Sequence, residues 1–187
     1  MRALVTVSKE TDNPMHPKCL EIICNLTRFP ANNGLLTRFE GIVDTLVLAA
    51  KFTTPECRIS ALRSLQNMSA DPSSKALLAD NVVLSLLTGG SMRSDATEKE
   101  AALCTLFNII TEPSAVASVT NTKNLVATLV HLAHNPESSS NVSLVACEAL
   151  ATISYWLQSL ASKGRVPEGI INTQLPSQKT SGWERWN

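Results

Sequence analysis

Apolar positions in this chain recur at steps of three and four residues, and whole phrases of them return at a fixed distance. The stretches "CLEIICNLTRFP" (19–30), "ALRSLQNMSADP" (61–72) and "ALCTLFNIITEP" (102–113) align without gaps, spaced by 42 and 41 residues. Each opens on a small residue (Cys19, Ala61, Ala102) followed by leucine (Leu20, Leu62, Leu103). A large aliphatic residue takes the fifth place (Ile23, Leu65, Leu106) and asparagine the seventh (Asn25, Asn67, Asn108). An apolar residue takes the eighth (Leu26, Met68, Ile109) and proline the twelfth (Pro30, Pro72, Pro113). A fourth copy, "ACEALATISYWL" (146–157), keeps the small and aliphatic places but carries Thr152 for the asparagine and Leu157 for the proline.

A second phrase interleaves with the first: "GIVDTLVLAAK" (41–51), "NVVLSLLTGGS" (81–91) and "NLVATLVHLAH" (124–134), spaced by 40 and 43 residues. Three- and four-residue steps predict helices with one buried stripe. Between the phrases, "ANNGLLTRFE", "SSKALLADN" and "SAVASVTNTK" are each long enough for about two helical turns. Pro30, Pro72 and Pro113 fit the first turn of such a helix, where a missing N–H costs little. The unit is a short, a middle and a long helix, about 42 residues in all. Stripes of this kind are buried only by stacking one unit on the next. The predicted fold is all-α, a solenoid.

The period, the "LxN-apolar" phrase and the "IVxxLVxLA" phrase together resemble armadillo repeats, over roughly residues 1–163. HEAT repeats share the period but use two helices and lack the recurrent asparagine. The resemblance implies a right-handed α-α superhelix of about three repeats (near 31–72, 73–113 and 114–163) after a partial first repeat (1–30). Residues 3–27 align with 45–69, so the chain enters in a middle helix, and we expect it to be a piece of a longer array. At the other end the last long helix has no proline to stop it and is expected from about Asn141 to Lys163, with Gly164 as its stop. The tail, 164–187, is rich in turn formers; Trp183 and Trp186 within it are expected either to dock on the last repeat or to belong to an irregular end.

Places three and seven of the first phrase are four residues apart and share a face beside the core stripe. They hold Glu21 and Asn25, Arg63 and Asn67, Cys104 and Asn108, and Glu148 and Thr152. Stacked long helices align the asparagines into a ladder at roughly 8–10 Å spacing. A carboxamide both donates and accepts, so each rung can hold backbone N–H and C=O of an extended peptide. Armadillo proteins use the equivalent asparagines in this way along a concave groove, which by resemblance makes these eight residues the candidate groove. The alternative is a structural asparagine that bridges neighbouring repeats, in an element packed into a larger assembly. Armadillo cargo adaptors for nuclear import pair the asparagine with a tryptophan four residues earlier; Glu21, Arg63, Cys104 and Glu148 stand there instead.

Composition narrows the remaining classes. Sixteen basic and sixteen acidic residues cancel, against the basic excess of a nonspecific nucleic-acid binder. Five scattered cysteines form no CxxC pair, and no secretory leader is evident, so the expected setting is cytoplasm or nucleus. No uninterrupted run of about 18 apolar residues predicts a membrane span. His131 and His134 lie one turn apart without an apparent third metal ligand, and Cys104 has no neighbouring base. "NLT", "NMS" and "NVS" match a glycosylation pattern, but two of them fall on the repeat asparagine within a helix. "LTGGSMRSD" (87–95) reads as a linker and "SDATEKEAALC" (94–104) as a capped helix start. The expectation is a non-enzymatic protein without cofactor, metal, small-molecule substrate or membrane insertion, whose partners are other proteins or peptides; a basic concave surface for nucleic acid is a third option that the balanced charge disfavours.

Overall fold

In the computed structural model, residues 1–136 and 138–164 are described. Two helices come first, α1 (Arg2–Lys9) and α2 (His16–Thr27). A triplet of short, middle and long helix follows: α3 (Pro30–Arg38), α4 (Ile42–Phe52) and α5 (Pro55–Ser69). The next is α6 (Pro72–Leu78), α7 (Asn81–Gly90) and α8 (Ala96–Ile110). In the last, a 3-10 turn at Pro113–Ala115 leads into α9 (Val116–Asn121), then α10 (Leu125–His134) and α11 (Ser140–Ser162). No strand occurs among the described residues. The tryptophans expected to dock, Trp183 and Trp186, lie outside them.

Local chemistry sets these boundaries. Pro30, Pro55 and Pro72 each begin a helix, and Pro113 begins the 3-10 turn. Asp80, Asp95 and Ser139 cap α7, α8 and α11 by accepting from the N–H of Val82, Glu98 and Val142. Gly164 has φ +66° and donates its N–H to Ala161 at 3.0 Å, the left-handed stop that ends α11. The stretch 87–95 is only partly the expected linker, because α7 runs on through Gly89 and Gly90. A Cβ at Gly90 would meet that of Ala102 at 2.9 Å, so the glycine lets α7 and α8 approach.

Packing follows the triplets. The long helices touch in succession, α2 with α5, α5 with α8 and α8 with α11. The middle helices do the same, α1 with α4, α4 with α7 and α7 with α10, and α3 lies against α6. Leu20, Ile23, Leu62, Leu65, Met68, Leu103, Leu106 and Ile109 are fully buried in one continuous core. These are the stripe places read from the sequence. Side chains also bond across the stack: Thr37 Oγ1 to Ser74 Oγ, and Lys75 Nζ to Thr111 Oγ1, both at 2.8 Å. By length and mean hydropathy α11 reaches what a membrane span requires, although Asn141, Glu148, Thr152 and Gln158 interrupt its apolar sequence. One face of it packs on α8 and α10.

Candidate functional site

The eight residues of places three and seven all reach the surface of the long-helix row. Glu21, Asn25, Arg63 and Glu148 are exposed, while Asn67, Cys104, Asn108 and Thr152 are half-buried. The helical stripe explains this placement: places one, two, five and eight face the core on α5 and α8, and three and seven lie at its edge.

The asparagines are not equivalent. Asn67 Nδ2 donates to Thr27 Oγ1 of the preceding long helix at 3.1 Å, and Asn108 Nδ2 donates to Ser69 Oγ at 3.0 Å. Each hydroxyl already donates within its own helix, Thr27 to Cys24 O and Ser69 to Gln66 O, both at 2.7 Å, and so has a lone pair left for the amide. Thr27 and Ser69 occupy place nine of the repeated phrase. In the third copy that place is Ile110, and the next helix has Thr152 in place of asparagine. Thr152 Oγ1 instead donates to Glu148 O at 2.8 Å. Donor and acceptor therefore change together. Asn25 has no side-chain hydrogen bond to any described residue.

Further stitching comes from residues the repeat phrases do not contain. Asn32 Nδ2 donates to Leu26 O and Asn33 Nδ2 to Asn67 O, both at 2.9 Å, satisfying carbonyls at the ends of α2 and α5. The sequence signal was the pair of asparagines two and three residues after Pro30, behind Ala31. Two pockets open between α2 and α5. One, of about 380 Å³, lies by Lys18, Glu21, Glu56 and Ser60. The other, of about 340 Å³, lies by Thr27, Arg28, Asn33, Asn67 and Asp71. Together they flank the first internal rung.

The charges on the row are mixed. Glu21 pairs with Lys18 at 2.7 Å in the open, an ion pair worth little in water. Burial pushes the Cys104 thiol up, and Glu100 pushes it further, so the sulfur stays protonated. His134 Nδ1 bonds to Val130 O at 2.9 Å, as a ring at a helix end does. Among the described residues no three of His, Cys, Asp and Glu gather as a metal site.

The strongest charge cluster lies away from the row and was missed in the sequence. Glu98 is fully buried. Its Oε1 accepts from Arg58 Nε at 3.0 Å and Nη2 at 2.7 Å, and its Oε2 from Arg93 Nη1 at 2.7 Å. The arginines also donate to Thr53 O and Ala50 O at the end of α4. The cluster joins α4, α5 and α8, its carboxylate shared by two arginines that also hold the end of α4, so it clamps neighbouring triplets together.

Comparison with known proteins adds the fold alone. No family model and no curated protein matches the chain. Among solved structures, the crystal structure of an engineered protein, a Northeast Structural Genomics Consortium target, is similar with a TM-score of 0.69. It is 20% identical, and the match covers 87% of this chain and 67% of that one.

Proposed function

We propose that this chain is an armadillo-type right-handed solenoid that acts as a non-catalytic protein-interaction scaffold, holding an extended peptide of a partner along the long-helix row. The observation that carries the reading is the solvent-facing line of places three and seven across α2, α5, α8 and α11. The bonds to Thr27 and Ser69 fix the Asn67 and Asn108 amides in place and leave each Oδ1 and one N–H unclaimed by described residues. A held amide loses less entropy on binding than a mobile one. The pockets beside Glu21 and Asn67 would take side chains, giving specificity while the amides bind backbone. Five unpaired cysteines fit a reducing compartment, cytoplasm or nucleus.

The same two bonds favour a second reading, in which the asparagines serve the stack alone and the solenoid is a structural element. One experiment separates the two. An Asn25→Ala, Asn67→Ala, Asn108→Ala variant loses both the inter-repeat bonds and the exposed amides. A Thr27→Val, Ser69→Ala variant loses only the inter-repeat bonds. Each deleted bond costs about 1 kcal/mol of stability, so both variants weaken the fold. In a peptide-library binding assay at matched helicity, the groove reading requires the asparagine variant to lose binding, and the Thr27→Val, Ser69→Ala variant, which keeps the amides but frees them, to lose much less. Equal binding by both variants assigns the asparagines to the stack.

A further inference from the structure

The pocket of about 340 Å³ lies at the corner where α2 and α5 end and α3 and α6 begin. Asn33 forms part of its wall and is only 3% exposed. The Asn33 amide is half satisfied: Nδ2 donates to Asn67 O at 2.9 Å, while Oδ1 is buried without a partner. A backbone carbonyl can only accept, so the atom that faces Asn67 O must be the nitrogen, and the orphan is the oxygen. A buried carbonyl left unpaired favours any ligand that brings an N–H to it.

The rest of the lining is richer in free acceptors than in free donors. The N–H groups of Arg28, Ala70 and Asp71 are spent on Asn25 O, Asn67 O and Met68 O, and Pro30 and Pro72 have none. The Thr27 hydroxyl is spent on Cys24 O. Asn67 Oδ1 accepts from no described residue, and neither does Asp71 Oδ1, because Ser73 Oγ at 2.6 Å and Ser74 Oγ at 2.7 Å both donate to Oδ2. Those two hydroxyls hold the Asp71 carboxyl below the usual carboxylate value, so it is charged at neutral pH. Arg38 approaches this carboxylate from α3 but places Nη1 on Gly34 O at 3.2 Å. Arg28 is exposed, its charge in water.

We propose that this corner is a guanidinium subsite, in which an arginine side chain donates to Asn33 Oδ1, Asn67 Oδ1 and the Asp71 carboxylate. A guanidinium brings five donors in one plane and is more weakly hydrated than an ammonium. It therefore loses less on entering a pocket walled in part by Pro30, Ala70 and Pro72. The volume, at the low end for a ligand pocket, suits one side chain. Asn33 supplies the buried acceptor and Asp71 the countercharge, and neither belongs to the row of places three and seven. The source of the arginine rests on the peptide-scaffold reading: it belongs to the partner peptide and anchors that peptide beside the Asn67 rung.

The test titrates the full chain with N-acetyl-arginine amide, a probe that needs no groove, and follows the side-chain amide signals of Asn33 and Asn67 by NMR. Both signals are expected to shift and to saturate. N-acetyl-citrulline amide keeps the shape and loses the charge, and is expected to bind about tenfold more weakly, the worth of a charge-assisted hydrogen bond. Asp71→Asn keeps a residue that suits the start of α6 and is expected to lose about the same factor. Arg28→Ala removes a like charge beside the pocket and is expected to tighten binding about twofold. A pentapeptide with arginine at its centre among alanines is expected to bind about tenfold more tightly than the capped residue, because the row adds backbone hydrogen bonds. A pentapeptide that binds no more tightly, with the Asn33 shift intact, upholds the subsite for free guanidines and removes the peptide from it. No shift at Asn33 and Asn67, or citrulline binding as well as arginine, overturns the subsite and leaves the groove reading standing. N-acetyl-lysine amide binding as well as arginine overturns the guanidinium assignment.

Discussion

Glu98 carries no solvent exposure, and two arginines share its carboxylate. Burial alone pushes this carboxyl up; the hydrogen bonds from Arg58 and Arg93, with their charges, outweigh it and hold it below the usual carboxylate value. A carboxyl with a lowered folded pKa adds stability that is complete above its unfolded pKa, roughly pH 5 and higher. That stability is lost as pH falls through the folded value. Glu98→Gln is expected to destabilise the fold by about 3 kcal/mol at neutral pH, because it strands two partly buried cations. In urea titrations from pH 7 to pH 3, wild type should lose stability more steeply than the variant. Parallel pH profiles would show that the carboxylate contributes no such stability. Nothing in the repeat pattern announced this residue. The corresponding places are Met15, Cys57 and Val142, and Glu98 itself reads as an acidic group in a helix's first turn. Its partners stand 40 and 5 residues away, brought in by stacking and by a turn.

At the scale of helices, the sequence was most informative where the physics is local. Three- and four-residue steps placed the long and middle helices, and the prolines placed the short ones, because both depend on neighbours within a turn or two. The meaning of the asparagine was not local. Its partner is place nine of the preceding copy, 40 residues back for Asn67 and 39 for Asn108. The place-nine hydroxyls lay in the aligned phrases from the start, but only the crossing of two long helices shows that they meet. A double-mutant cycle on Thr27→Val and Asn67→Leu measures the pair. Either change alone is expected to cost about 1 kcal/mol and the two together less than the sum, since the second removes a group already left without its partner. Additive costs in urea unfolding would show that the amide and hydroxyl do not depend on each other.

For the molecule as a whole, stability should be distributed as in a one-dimensional array, where each repeat rests on its neighbours. The helices α5 and α8 have a long helix on both sides, whereas α2 and α11 have one on a single side. The middle helix α1 is only 8 residues long and packs on α2 and α4. Beyond Ile153, α11 has no buried residue, although it continues to Ser162. The apolar groups of these segments are mostly only half-buried, Leu157 against the core and Trp156 and Leu160 beside it on α11, so opening them costs less than opening the fully buried centre. Native-state hydrogen exchange is therefore expected to be slowest in α5 and α8 and fastest in α1 and residues 155–162. Low denaturant should widen the gap between the ends and the global value. Equal protection along the whole chain would instead mean that the stack opens as one unit and that the end repeats are held by more than their visible contacts.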